Sequence, residues 1–491
     1  MQLRRRCLRR RDDMPDATFE DGAPAVPGQP QGDQARKEDS PSQSKRPSEG
    51  TRWNLARLFE ASVGKVRWPF LLLLGTLWVL LVTWGQSEYN LQQSFQVSQL
   101  IVANVFTGKT GMDPCSGHAV NEILGSPKAV ENETVLVTGG SGFIGSHLVE
   151  MLLELGYTVR VYDNLETGNL LFLNLRHPRL HFVYGDIMDM DSMRTAMVGV
   201  RGVFHLGAAS KVLPSLKNPA MGTFNVEKNS VGTSRVLEAA NETMMVRKVL
   251  YAASSTYYGN QAVPFTETDP FMPTSPYAAS KYMGELIMLT NDNLYKLPTL
   301  SLRFFMVYGP RNPAQGAYAI VTGKFIDRLK NGQPLIIEGD GQNFRDFVHV
   351  NDVARALILG YQSDIHGTSI NIGSGEKHSV KEVADLISSN QQHVAARKND
   401  LLGTLADTCR ARSTLNFQSR HDFIATMKVM IEDALAGRSD YFAPMWGETA
   451  VEDALEKMLP GWKSLTGPER NARLKSALAA NRSFQLSLHN L

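Results

Sequence analysis

Residues Thr134-Val-Leu-Val-Thr-Gly-Gly-Ser-Gly-Phe-Ile-Gly145 decide the fold. An uncharged aliphatic run leads into three spaced glycines, Gly139, Gly142 and Gly145. The run reads as a buried strand, and the glycines as a turn that opens a helix. Backbone without a Cβ can approach a phosphate closely, and a helix N-terminus offers free N–H groups and a positive dipole end. The spacing therefore predicts a dinucleotide pyrophosphate held around Gly139, Gly142, Phe143, Ile144 and Gly145.

Outward from this stretch the pattern alternates. Strands are expected at 158–162, 180–184, 202–206, 248–253 and 299–303, with helices at 143–155, 226–242 and 276–294. That alternation predicts an α/β fold, a doubly wound, mainly parallel Rossmann sheet. Asp163 ends the second strand. A carboxylate there accepts the adenosine ribose hydroxyls and repels a 2′-phosphate, so NAD is expected rather than NADP. Asp186 and Ile187 follow the third strand, placed to meet the adenine; a turn-forming Asp186 reads equally well.

Ser254 lies in Tyr251-Ala-Ala-Ser-Ser-Thr-Tyr-Tyr-Gly259, where a strand ends and open α/β sheets place ligands. Tyr277-Ala-Ala-Ser-Lys281 puts a phenol and an ammonium on one helix face. The ammonium is expected to lower the phenol's pKa. A phenolate near neutrality can take the proton of a hydroxyl whose carbon gives hydride to a nicotinamide, while a serine bridges the same oxygen.

These residues resemble the extended short-chain dehydrogenase/reductase family, in particular its nucleotide-sugar epimerases and dehydratases. The similarity runs from about 134 to 440. Its other motifs are His205-Leu-Gly-Ala-Ala, Asn229-Ser-Val-Gly-Thr, Val307-Tyr-Gly-Pro-Arg311 and Arg345-Asp-Phe-Val-His-Val350. The resemblance implies that Ser254 and Tyr277 are catalytic, and that Lys281 orients the nicotinamide ribose and tunes Tyr277. By the same resemblance Asn229 helps hold Ser254 and the cofactor, and His205 is structural. Arg345 looks like the arginine that clamps a substrate diphosphate, a task suited to a bidentate guanidinium.

The residues after Ser254 narrow the class. Dehydratases of this family need an Asp-Glu pair where this chain has Ser255 and Thr256. Nucleotide-glucuronate decarboxylases resemble the chain in their membrane anchor, but have Glu at the place of Thr256. The 3,5-epimerase/reductases use a Cys/His pair, and the only cysteine in this region is Cys409. The remaining chemistry is a 4-epimerase: hydride out, rotation of a 4-keto sugar, hydride back. Met306 stands where most relatives have a substrate-contacting Asn. Hexuronate 4-epimerases also depart there, usually with Thr, and resemble the following stretch 316–322. Thr256, Met306 and Arg345 are thus the expected substrate-binding residues. A UDP-linked hexose, N-acetylhexosamine or hexuronate fits, with UDP-glucuronate decarboxylation the rival reaction. A non-enzymatic NAD-binding scaffold is a rival of another class, though it would need none of Ser254, Tyr277 and Lys281.

The chain has 491 residues, 43% apolar and 20% charged, with a formal net charge of +2. That balance gives no electrostatic case for a nucleic-acid partner. Residues 1–67 are polar and read as a disordered cytosolic tail. Residues 68–85 carry no charge and as a helix span about 27 Å, enough for a thin bilayer core. Trp68 and Trp84 sit at its ends, and Lys65 and Arg67 precede it. The positive-inside rule then predicts a single-pass type II anchor, with a stem at 87–130 and the catalytic region in the Golgi lumen. An organelle-import signal is the alternative, disfavoured by acidic residues such as Asp12, Asp13 and Glu20. An NAD-binding domain is expected at 131–300 and a mainly substrate-binding subdomain at 301–445; 446–491 carries no assigned role. A homodimer is expected, and no metal site. Of the three cysteines, Cys7, Cys115 and Cys409, the spacing favours unlinked thiols, with a Cys115–Cys409 bridge open in an oxidising compartment. Asn132, Asn241 and Asn481 begin glycosylation tripeptides.

Overall fold

Alternate residues of the first strand bury themselves on opposite faces of one sheet. Val135 and Val137 join one apolar cluster, Leu136 the other. A strand buried on both faces needs a continuous apolar run, which is why this one carries no polar alternation. The computed structural model describes residues 125–210, 212–314, 319–396, 401–436, 455–457, 459–465 and 467–480. All of them belong to the second of two units, Met1–Lys109 and Thr110–Leu491. The expected anchor at 68–85, the tail before it and the stem up to 124 lie outside the described residues. Among the described residues no helix is long and apolar enough to cross a membrane.

In chain order the strands are β1 (Thr134–Thr138), β2 (Thr158–Asp163), β3 (Leu180–Tyr184), β4 (Gly202–His205), β5 (Lys248–Ser254) and β6 (Thr299–Phe304). Then come β7 (Met306–Tyr308), β8 (Leu335–Glu338), β9 (Phe344–Arg345), β10 (Phe347–His349), β11 (Thr368–Ile372), β12 (His378–Ser379) and β13 (Gln391–Val394). Seven of them form one parallel sheet in the order β3-β2-β1-β4-β5-β6-β11. Helices Phe143–Glu154 and Val350–Gln362 cover one face through Leu148, Leu152, Val353 and Leu357. Helices Met190–Met197, Gly232–Thr243 and Pro276–Tyr295 cover the other through Met193, Val236, Leu237 and Met288. The Rossmann sheet is therefore as expected, and β11 adds a strand from the region after 301.

The rest of that region makes a smaller body. The pairs β7–β10 and β8–β13 are parallel and β9–β12 is antiparallel. Helices Val321–Lys330, Val380–Ile387 and Phe423–Leu435 pack around Tyr308, Phe325, Ile337, Phe347 and Phe423.

Three local findings differ from expectation. The helix expected at 226–242 is interrupted. It runs as Pro219–Val226, a five-residue π-turn at Glu227–Val231 and Gly232–Thr243. Such a turn widens a helix to aim a side chain, here Asn229. Second, Cys409 is disulfide-bonded, which overturns the expectation of three unlinked thiols. The other two cysteines, Cys7 and Cys115, lie outside the described residues. Third, the Asn241 amide donates to Leu237 O at 3.0 Å and Asn291 Oδ1 at 3.2 Å within a helix, so this tripeptide is not presented for glycosylation. Asn132 is exposed.

Candidate active site

Thr138, Asp163, His205 and Ser254 end β1, β2, β4 and β5 on the carboxyl edge of the sheet. The strand order reverses between β1 and β4, the switch point at which such sheets bind ligands. The glycine turn sits there. Gly139 has φ +69°, and a Cβ on it would stand 2.8 Å from Gly207 N. A Cβ on Gly145 would lie 2.2 Å from Gly139 O, so no side chain fits. Gly142 is the N-cap of helix Phe143–Glu154, with no side-chain cap and no acidic residue in the first turn. Its free N–H groups and dipole end suit an anion.

Asp163 accepts from the backbone N–H of Ser141 at 3.1 Å and of Leu165 at 2.8 Å. Burial raises its pKa against those bonds. Asp186 lies lower than an ordinary carboxyl: burial works against its charge, but Lys228, the Met188 N–H and Asn164 outweigh it. Lys228 Nζ stands 2.7 Å from Asp186 Oδ2. Asp186 lines the cavity, and its Oδ1 accepts the Met188 N–H of its own turn at 2.9 Å. Ile187 is buried in the same wall, where a Cβ on Gly232 would touch its Cδ1 at 2.6 Å.

Asn229 reaches from the π-turn to the loop after β4. Its Oδ1 accepts from Ala209 N at 2.7 Å, and its Nδ2 donates to Ala209 O at 2.8 Å and Ser280 Oγ at 2.9 Å. It therefore ties the cofactor-side loop to the helix of Tyr277 and Lys281, and it does not bond Ser254 directly. His205 is buried between Thr138 Oγ1 at 2.8 Å and Thr233 Oγ1 at 3.0 Å, and burial pushes its pKa down to about 3. It joins the end of β1 to the helix of Thr233, as a buried side chain between two hydroxyls.

Ser254 Oγ lies 2.9 Å from Thr256 Oγ1 and accepts the Thr256 N–H at 3.2 Å. The next helix starts with Pro276 at its first turn, capped by Ser275 Oγ accepting from Ala278 N at 3.1 Å. That cap fixes Tyr277 in the first turn, with Lys281 one turn on. Hydrogen bonds with Ser210 and Ser254 reach Tyr277, yet burial still raises its pKa. Lys281 is pushed down to about 7 by burial, opposed by Glu285. Its ammonium lies 4.2 Å from the centre of the Tyr251 ring. The expected lowering of Tyr277 by Lys281 is therefore corrected. Both groups are sequestered, and a lysine only partly charged near neutrality has little field to lend its neighbour.

A buried pair underlies this centre. Arg303 on β6 meets Glu285 at 2.6 Å and Tyr258 Oη at 2.5 Å, and the Tyr257 hydroxyl also donates to Glu285. It braces the turn that carries Ser254 and Thr256 against the helix that carries Tyr277 and Lys281. Removing one partner of such a pair costs about 3–5 kcal/mol, because the other charge is left buried.

Across the cavity stand Met306 on β7 and Arg345 on β9. Arg345 is buried, and its Nη1 donates to Phe344 O at 2.8 Å. Lys324 and Arg328, from helix Val321–Lys330, line the same end with Asn312. One cavity of about 880 Å³ joins the glycine turn, Asp163, Asp186, Ser254, Thr256, Tyr277, Lys281, Met306 and Arg345. The residues fit a dinucleotide on one side, where the cradle excludes a Cβ, and an anionic ligand among cations on the other. Sequence reasoning missed Ser210, Lys228, Lys324 and Arg328. Ser210 and Lys228 adjoin quoted motifs; Lys324 and Arg328 sit on an ordinary amphipathic helix that gives no signal. Among the described residues no group of His, Cys, Asp or Glu could hold a metal ion.

Known proteins are similar to this chain in sequence and in fold. A UDP-glucose 4-epimerase of Mycolicibacterium smegmatis is 35% identical over 294 residues, 58% of this chain and 92% of its own length. A UDP-N-acetyl-alpha-D-glucosaminuronate decarboxylase of Bacillus cytotoxicus is 34% identical, over 51% of this chain and 77% of its own. The solved UDP-N-acetylglucosamine 4-epimerase of Methanobrevibacter ruminantium, in complex with UDP-N-acetylmuramic acid, superposes with a TM-score of 0.59 at 31% identity. It covers 63% of this chain and 100% of its own. The NAD complex of Thermus thermophilus UDP-glucose 4-epimerase gives 0.56 at 31%, over 61% and 98%. Residues 135–373 match the NAD dependent epimerase/dehydratase family. On this likeness and this site, the chain belongs to that family.

Proposed function

We propose that the protein is an NAD-dependent 4-epimerase of a UDP-linked hexose, N-acetylhexosamine or hexuronate. The single cavity carries this reading, because it brings the glycine cradle and the Ser254–Tyr277–Lys281 group within reach of one substrate. Bound NAD supplies a reversible hydride acceptor. Tyr277, as its phenolate, takes the proton of the C4 hydroxyl and returns it after the sugar turns; in the cofactor-free protein burial favours the phenol. Ser254, held by Thr256, bonds the same oxygen. Arg345, Lys324 and Arg328 supply the positive charge that a diphosphate needs. The decarboxylase reading is favoured by the Bacillus relative; against it, Thr256 offers no carboxyl beside Ser254.

Incubating the detergent-solubilised full chain with UDP-sugars deuterated at C4 tests this. Epimerisation keeps the deuterium and releases no carbon dioxide. A pentose product with carbon dioxide from UDP-glucuronate would establish the decarboxylase instead.

The type II anchor at 68–85 with a lumenal catalytic region belongs to the same proposal. It is supported by the Cys409 disulfide, since such bonds persist in oxidising compartments, and by the exposed Asn132 acceptor. Protease added to sealed microsomes should digest 1–67 and spare the remainder. Met283, Leu286 and Leu289 are exposed apolar residues along helix Pro276–Tyr295, a face suited to a second copy of the chain. A dimer mass in light scattering is the expected result.

A further inference from the structure

The family match ends at residue 373, so the C-terminal segments lie outside it. Leu455, Trp462, Leu474 and Leu478 are each no more than 2% exposed. They join the apolar cluster of Leu170, Leu173 and Leu175, which follow β2 and the Asp163 turn. Arg470 donates to the carbonyls of Trp462 at 3.1 Å and Lys463 at 3.0 Å, and Arg473 to that of Pro460 at 2.7 Å. Helix Gly467–Ala480 is thus packed and fastened.

Its place is informative. Lys475 and Leu478 line a cavity of about 580 Å³ with Asn164, Glu166, Gly185 and Asp186. Those last four residues also line the dinucleotide cavity. Lys475 is half-buried there, and its charge adds only a minor influence on Asp163 after burial and the Ser141 and Leu165 hydrogen bonds.

We propose that helix Gly467–Ala480 is the outer wall of the adenosine subsite and that Lys475, which lines the same cavity as Glu166 and Asp186, is a positioning residue that helps retain the adenosine. This rests on the reading of the site as NAD-binding. Leu474 and Leu478 seat the helix. Lys475 lines the cavity beside Leu478, so its loss opens the wall there while the glycine cradle is intact.

The full-length protein, loaded with radiolabelled NAD and chased with unlabelled NAD, reads this without turnover. Lys475→Ala should release the label about fivefold faster, the effect of removing one half-buried charged side chain from the cavity wall. Lys475→Glu should release it faster still, and Lys475→Arg should behave as the wild type. The melting temperature of NAD-free Lys475→Ala should not change, which separates positioning from a folding role. Leu478→Ser, which loosens the helix, should also speed release. Unchanged release in Lys475→Ala and Lys475→Glu would overturn the inference while leaving the NAD site standing. Wild-type protein that binds no NAD would overturn the site reading and the inference with it.

Discussion

The two ends of the cavity are built on different principles. The cofactor end is mostly backbone: Gly139, Gly142 and Gly145 come from one short stretch, and what matters is what they lack. The substrate end is all side chains, with Met306, Lys324, Arg328 and Arg345 gathered from a strand, a helix and a second strand pair. Backbone cradles tolerate little change and fix a ligand class. Side-chain ends can be retuned one residue at a time. Hence the cofactor should be set by the sheet and its first turn, and the sugar by the smaller body. Between them lies a reaction centre whose two titrating groups are both shifted by burial.

Substitutions can break or sharpen this contrast. The largest effect is expected at the centre. Tyr277→Phe removes the proton acceptor and keeps the ring, so the rate of epimerisation should fall about 10²–10⁴-fold with NAD content and fold unchanged. Lys281→Met comes next, with effects of opposite sign on activity and stability. The folded-state pKa of Lys281, about 7, lies below its ordinary 10.5. Between those values the unfolded chain holds a proton that the folded chain has lost, so stability attached to this group rises with pH. At pH 7 the folded chain bears nearly the whole penalty. Lys281→Met should therefore stabilise the NAD-free protein by about 2–4 kcal/mol at pH 7. The gain should vanish toward pH 10.5, and turnover should be lost throughout. Thermal melts across pH 7–10 check it.

Smaller effects are expected away from the centre, and they should differ by end. Asp163→Ala should narrow the preference for NAD over NADP by about tenfold, the worth of one charged hydrogen bond. Titration of the stripped protein with each dinucleotide measures it. Met306→Thr should shift KM among UDP-sugars by about 3- to 10-fold, with NAD content unaltered. If Met306→Thr lost NAD, or Asp163→Ala changed the ranking of sugars, the two ends would not be separable.

The legibility of the chain follows the same division. β1 lies where the sequence placed it, because a strand buried on both faces must be a continuous apolar run; β3 also lies where expected, although as an edge strand only its Leu180 is fully buried. The glycine turn was legible because a missing Cβ is a local property. Ser254, Tyr277 and Lys281 converge as expected, since each sits beside a strand end or a capped helix start. The π-turn was not legible: Val226–Glu242 reads as one continuous helix, and only the partners of Asn229, Ala209 and Ser280, favour widening it. The return of β11 to the sheet was missed because Thr368–Ile372 is set apart from β6 by the whole of β7–β10. Lys324 and Arg328 carry no motif.

By itself the sequence determined the class of fold and the glycine turn, and it singled out Ser254, Tyr277 and Lys281 as the candidate groups, because each depends on residues close together in the chain or on the presence or absence of a single side chain. Tertiary structure alone decided the charge of those groups. Burial raises Tyr277 and lowers Lys281, while Glu285 and Arg303 meet beneath them from a helix and a strand. It also decided that the C-terminal helix shares a cavity with Glu166 and Asp186. Desolvation and long-range packing depend on what surrounds a residue in space, and no local pattern records that.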